Sequence, residues 1–240
     1  MKYLGIVSYD GTDYHGFQRQ KNALGIQEII ERAFRLMTQT EIRIHGASRT
    51  DKGVHALRMP FHFETDLDLD PEIWVRALNQ RLPHDIRIMR IKPVHARFHA
   101  RHSAKGKVYR YVIAKKPSSV FNSRYEAYVP DFDIEAVREL LPRFEGTHDF
   151  KGFCRYTKGK ETVRTINSLT LKETKKAYVF TFDGVSFLRY MVRSIMGTLI
   201  EIGQHRIEPE VIDDIFETKD RELAGKTAEA RGLFLVRVKY

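Results

Sequence analysis

Residues 42–64 read IRIHGASRTDKGVHALRMPFHFE, and their pattern decides the fold. Ile42 to Ala47 alternates apolar and polar, the period of a half-buried strand. Met59 to Glu64 is a second short strand. The stretch Ala47–Ala56 is packed with polar and small residues and reads as a turn at a strand end. On its N-terminal side, Ile26, Ile29, Ile30, Ala33, Phe34 and Met37 recur at helical spacing, with Gln27, Glu28, Glu31, Arg32 and Arg35 on the wet face. Before that helix come a strand, Tyr3–Tyr9, and the turn signal Asp10-Gly11-Thr12-Asp13. On the C-terminal side, Asp70 and Pro71 open a helix as N-cap and first-turn residue, running to about Gln80. Ile86–Ile91 alternates again. The order is β-α-β-β-α-β.

The remainder repeats that order loosely. Val108–Ala114 is a strand, Lys116 to Pro130 a loop, and Asp133–Phe144 a helix before Gly146. Thr162–Leu171 and Ala177–Asp183 form a strand pair. Leu188–Ile202 is a buried helix closed by Gly203, Pro209–Phe216 a short helix, and Leu233–Val238 a final strand. The fold class is therefore α+β: two ferredoxin-like, RRM-like halves with mixed, mainly antiparallel sheets. The boundary falls near residue 102, giving an N-terminal half of 1–102 and a C-terminal half of 103–240.

Composition narrows the function. At 240 residues, 42% hydrophobic and 30% charged, the chain can bury a core and is not mainly disordered. Its single cysteine, Cys154, rules out an internal disulfide framework and any zinc site built on several cysteines. Phe187–Ile202, the longest greasy stretch, is broken by Arg189, Arg193 and Glu201, so no run reaches the ~18–20 residues of a membrane span. The N-terminus meets Asp10 too early for a secretory signal, which leaves the cytoplasm as the expected compartment. Net charge is +10 and points to a polyanion. Residues 92–125 carry nine Lys or Arg and no acid, among them Arg97, Arg101, Lys105, Lys107 and Arg110. The segment contains Pro93, Gly106 and Pro117 and alternates like a strand, which suits nucleic acid better than a membrane-lying helix.

Several stretches could carry chemistry. In Arg49-Thr50-Asp51-Lys52-Gly53-Val54-His55, Arg49 and Asp51 point the same way on extended chain. Either this is a surface ion pair of little worth, or Arg49 helps hold Asp51 ionised at a pocket edge. Tyr109 and Tyr111 share one strand face amid cations, fitting core tyrosines or stacking on bases beside phosphate contacts. Arg193 follows Arg189 by one turn on an apolar helix; it snorkels to the surface or serves a buried carboxylate. His95, His99 and His102 cluster with no carboxylate or cysteine nearby, which favours phosphate contact or exposure over a metal. Phosphate-binding glycine loops and a G-x-S-x-G elbow are missing.

Together these segments resemble the tRNA pseudouridine synthase A family, whose members isomerise uridines in the anticodon stem-loop. The similarity runs through Tyr9-Asp10-Gly11-Thr12, Gly16-Phe17-Gln18-Arg19-Gln20, Gln27-Glu28, Arg49-Thr50-Asp51-x-Gly53-Val54-His55-Ala56, Phe98-His99-Ala100-Arg101, Tyr109-Arg110-Tyr111, Phe187 to Arg193, and Gly232-Leu233-Phe234-Leu235. It covers nearly the whole chain in order. The resemblance implies that Asp51 is the catalytic aspartate, Tyr109 the tyrosine stacking on the target uracil, Arg193 the partner of the carboxylate, and Arg49 an arginine that helps expel the base. Thr50, His55 and Arg110 are the further substrate-binding candidates; Arg19, Arg97, Arg101, Lys105 and Lys107 are candidates for the RNA backbone. It implies a central cleft, a homodimer with tRNA across both subunits, and no metal or cofactor. Ser48 stands where the family usually has Gly, Lys52 where it has Ala, and Phe17 where it has Trp. Residues 228–231 also depart from the family pattern. None of these removes a chemical group, and Lys52 adds a cation beside Asp51. The rival expectations are the same chemistry on another RNA and a silent RNA-binding protein.

Overall fold

The computed structural model describes residues 1–240. The chain divides into two compact units: Met1–Lys105 with Phe234–Tyr240, and Gly106–Leu233. It is mixed α+β, with mostly antiparallel strand pairing and five α-helices.

The first unit holds β1 (Lys2–Tyr9), α1 (Ile26–Thr38), β2 (Ile44–Gly46), β3 (His55–Glu64), α2 (Pro71–Asn79) and β4 (Ile86–Pro93). Both β3 and β4 pair antiparallel with β1, and β2 pairs antiparallel with β3. The spatial order β4-β1-β3-β2 is that of the split βαβ fold. Asp70 caps α2, its side chain accepting the Glu72 amide, with Pro71 in the first turn. The core is aromatic. Tyr3 stacks on Phe63 at 5.3 Å, and Phe34, Phe63 and Trp74 contact one another at 4.6–5.7 Å between ring centroids. Such pairs add to the area they bury.

One reading of α1 is corrected. Glu31 is buried, not on the wet face. It accepts the Gln27 side-chain amide at 2.9 Å and the Ile44 backbone amide at 3.2 Å, so it ties α1 to β2. A buried carboxylate persists when such donors meet it.

The second unit holds β5 (Gly106–Ala114), β6 (Ala127–Tyr128), α3 (Glu135–Arg138), β7 (Gly146–Asp149), β8 (Val163–Glu173), β9 (Ala177–Gly184), α4 (Met191–Gly203) and α5 (Val211–Thr218). Its strands run β5-β9-β8-β7, with β6 parallel to β5. The helix expected over 133–144 is a single α-turn followed by a 3-10 turn at Leu141–Phe144, because Pro142 has no N–H to continue the ladder. The expected loop 116–130 contains the two-residue β6. The final strand β10 (Leu233–Lys239) sets Phe234 and Leu235 parallel to His55 and Ala56 of β3. That pairing places residues 234–240 with the first unit, whereas the sequence reading ran the second half from 103 to 240. No helix is long and apolar enough to cross a membrane.

Candidate active site

In the first unit, Asp51 sits half-buried on the turn between β2 and β3, flanked by exposed Arg49 and Lys52. The turn is fastened from below. The hydroxyls of Thr50 and Tyr9 lie 2.9 Å apart and are buried. The Phe17 amide donates to Thr50 O at 3.3 Å, and the Gly53 amide to Tyr14 O at 3.2 Å. The Val54 amide donates to Asp51 O at 3.1 Å, and Gly53 turns the chain with φ 77°. Residues 10–17 therefore form a cradle under residues 50–54.

His55 opens β3 and is buried. The Gly11 amide donates to its Nδ1 at 3.1 Å, and the Asp10 carboxylate lies 3.1 Å from the same nitrogen. Its ring stacks on Phe234 at 4.7 Å. His55 thus joins the 10–13 turn to β3. The Tyr14 hydroxyl donates to both oxygens of Asp85, at 2.9 and 3.0 Å. Burial, and then the Asp85 carboxylate, raise the Tyr14 phenol above its ordinary value, so it stays protonated.

In the second unit, Tyr109 and Tyr111 lie on β5, opposite Phe182 and Phe180 of β9. Tyr109 is buried and meets Phe187 edge-on at 5.1 Å. The Tyr111 hydroxyl donates to Glu229 O at 3.0 Å; burial first, then the Glu229 carboxylate, raise its pKa. Arg110 is half-buried, and its Nε is enclosed without a hydrogen-bond partner. Arg193 lies in the first turn of α4, which starts at Met191 rather than Leu188. Its Nε donates to Ala228 O at 2.7 Å, and the Ala228 amide returns a bond to Arg193 O at 3.0 Å. The guanidinium carbons of Arg189 and Arg193 lie 5.1 and 5.3 Å from the Tyr190 ring centroid. Tyr190 has φ 63°, a left-handed conformation uncommon for a residue with a side chain.

The first unit therefore carries Arg49, Thr50 and Asp51 on one braced turn that leads into His55 at the start of β3, and in the second Arg193 and Tyr111 bond to the adjacent carbonyls of Ala228 and Glu229. Of the backbone-contact candidates, Arg97, Arg101 and Lys105 are exposed, and Lys107 is half-buried on β5. Arg19 is largely exposed, with NH1 3.4 Å from the buried Glu31. The sequence reading passed over the roles of Tyr9 and Tyr14. Their signal was their place in the 9–20 motif, but nothing local announces Asp85 as a partner.

The tRNA pseudouridine synthase family model matches residues 6–103 and 141–240. The chain belongs to this family and is an isomerase. Proteins called tRNA pseudouridine synthase A resemble it end to end. That of Acetivibrio thermocellus is 42% identical, over 98% of each chain. That of Streptococcus pneumoniae is 40% identical, over 100% of this chain and 98% of its own. That of Aster yellows witches'-broom phytoplasma is 39% identical, over 99% of this chain and 98% of its own.

Proposed function

We propose that this protein converts uridine to pseudouridine in the anticodon stem-loop of tRNA, with Asp51 as the one catalytic carboxylate and no metal or cofactor. Family membership supports the isomerisation and tRNA as its substrate. The observation that carries the role of Asp51 is the bracing of its turn by the buried Tyr9–Thr50 pair and the 10–17 cradle. Catalytic groups need such fixed supports.

The reaction breaks the N1–C1′ bond, turns the uracil, joins C5 to C1′ and releases the C5 proton. A glycosidase needs two carboxylates, one to protonate the leaving group and one to attack or to activate water. Here the leaving group is a delocalised uracil anion that is recaptured, so one carboxylate suffices. Asp51 acts on the ribose, either by attacking C1′ or by removing a sugar proton to give a glycal. Arg193 serves as counter-ion to the carboxylate, and the bond from its Nε to Ala228 O fixes one edge of the guanidinium. Tyr109 holds the detached base by stacking, and Arg49 assists its exit. Leaving the stack costs a few kcal/mol, less in a partly single-stranded loop. The basic 92–125 segment holds phosphates, making affinity steeply salt-dependent. The same reading makes the protein a cytoplasmic homodimer, which light scattering would test.

Asp51→Asn tests the assignment. Turnover falls to background while RNA affinity stays near wild type. Retained turnover would remove Asp51 from the chemistry.

A further inference from the structure

Four histidines of the first unit form one cluster that the proposed reaction does not use. His45 is on β2, His62 on β3, and His99 and His102 on the loop after β4. His45 stacks on His62 with centroids 4.9 Å apart and planes 20° from parallel. His62 and His99 are 4.5 Å apart, His99 and His102 4.3 Å. His62 is buried, His99 half-buried, and His45 and His102 exposed, so the rings run from core to surface.

The backbone sets their tautomers. The Ala100 amide donates to His62 Nδ1 at 3.1 Å. The Arg101 and His102 amides donate to His99 Nδ1 at 3.1 and 3.3 Å. A ring nitrogen that accepts an amide hydrogen carries none itself, so each neutral ring holds its proton on Nε2. Both inner rings thus offer an N–H on their far edge. A metal ion needs a bare ring nitrogen, and these groups are not arranged to share one. An anion needs the N–H.

The surroundings are cationic. Lys2, His45 and Glu64 face His62 beside His99, and Lys2, His45 and His102 face His99. Glu64 is the one acid of this set, and Lys2 Nζ pairs with it at 2.9 Å. Burial, then the neighbouring imidazoles and Lys2, hold His62 down at about 4 and lower His99. Exposed Arg97, Arg101 and Lys105 share the loop of His99 and His102, and no acid lies between 92 and 125.

We infer that the His45–His62–His99–His102 cluster is a docking point for the RNA phosphodiester backbone that takes up protons as the RNA binds. This rests on the RNA substrate proposed above. Burial, and then repulsion from the neighbouring imidazoles and Lys2, keeps the inner rings neutral in the unbound protein, and the incoming negative charge offsets the repulsive part. Affinity therefore rises as pH falls through the histidine range, and the rise belongs to these rings.

The test measures binding of an anticodon-arm transcript by fluorescence anisotropy at about pH 7.5 and about pH 6, at fixed salt. Asp51→Asn protein is used, so that neither turnover nor the Asp51 charge enters the comparison. One proton taken up gives at most about tenfold per pH unit, so the expected gain at the lower pH is roughly three- to tenfold. His99→Gln, which removes the half-buried inner ring, loses most of that gain, changes affinity at about pH 7.5 by less than roughly twofold, and keeps its circular dichroism. His84→Gln, an exposed histidine outside the cluster, keeps the gain. An equal gain in His99→Gln, or no binding at any pH, would overturn the inference. Wild-type turnover on the same transcript is scored separately. An active enzyme with an unchanged pH gain would sink the docking point alone.

Discussion

The hydroxyls of Tyr9 and Thr50 meet at 2.9 Å, both buried, so the residue before Asp51 is tied to the end of β1. A buried hydroxyl that loses its partner keeps its desolvation cost, about 1–3 kcal/mol. Tyr9→Phe is therefore expected to lower stability by that amount in urea unfolding and to reduce kcat more than it raises KM. Adding Thr50→Val should cost less than the sum of the two single changes, because both remove one bond. Strict additivity would mean that the bond carries nothing.

Gly16 lies under the same turn. Its φ is 86°, and a Cβ there would stand 2.3 Å from Thr50 O. Gly16→Ala is expected to cost at least about 2 kcal/mol from left-handed strain and backbone collision together. Thermal unfolding with parallel turnover would show both a lower Tm and lost activity. An unchanged Tm would deny the cradle its place in holding Asp51.

Gly197 does for Arg193 what Gly16 does for Asp51. A Cβ at Gly197 would stand 1.7 Å from Lys226 O. The 225–228 segment runs against α4 there, held by Gly225 N to Thr198 Oγ1 at 3.0 Å and by the paired bonds of Arg193 and Ala228. Gly197→Ala is expected to push this segment off the helix, cost roughly 1–3 kcal/mol and lower kcat by loosening Arg193. Full activity with lowered stability would separate Arg193 orientation from this contact.

The β-α-β-β-α-β order of the first half was legible because alternation and helical spacing are local, and because Asp70-Pro71 names its own helix start. The strands β6 and β7 are too short to alternate visibly and exist through their pairing with β5 and β8. The partnership of β10 with β3 joins residues far apart in sequence, and no local pattern carries it. Glu31 misled because helical spacing cannot show that Gln27 and the Ile44 amide wait for its carboxylate. At the site, the polar turn of Arg49 to His55 was visible as residue types. Its fastening by Tyr9, and that of Tyr14 by Asp85, are side-chain meetings that only the folded chain creates.

His62 makes stability depend on pH. Its folded pKa is about 4, against about 6.5 for an exposed histidine. Between those values the unfolded chain binds the extra proton, so stability rises with pH across that window and levels off above it. His62→Gln is expected to flatten the rise in Tm between about pH 4.5 and about pH 6.5. An equally steep rise in the variant would assign the effect to other groups.

The central claim is that Asp51 drives isomerisation of an anticodon-arm uridine. RNA labelled with tritium at uridine C5 tests it, because joining C5 to C1′ expels that hydrogen into water. The account predicts release from an anticodon-arm transcript by the wild-type protein and only background release with Asp51→Ala. Equal release by both proteins, or release from total RNA with none from the arm, would contradict it.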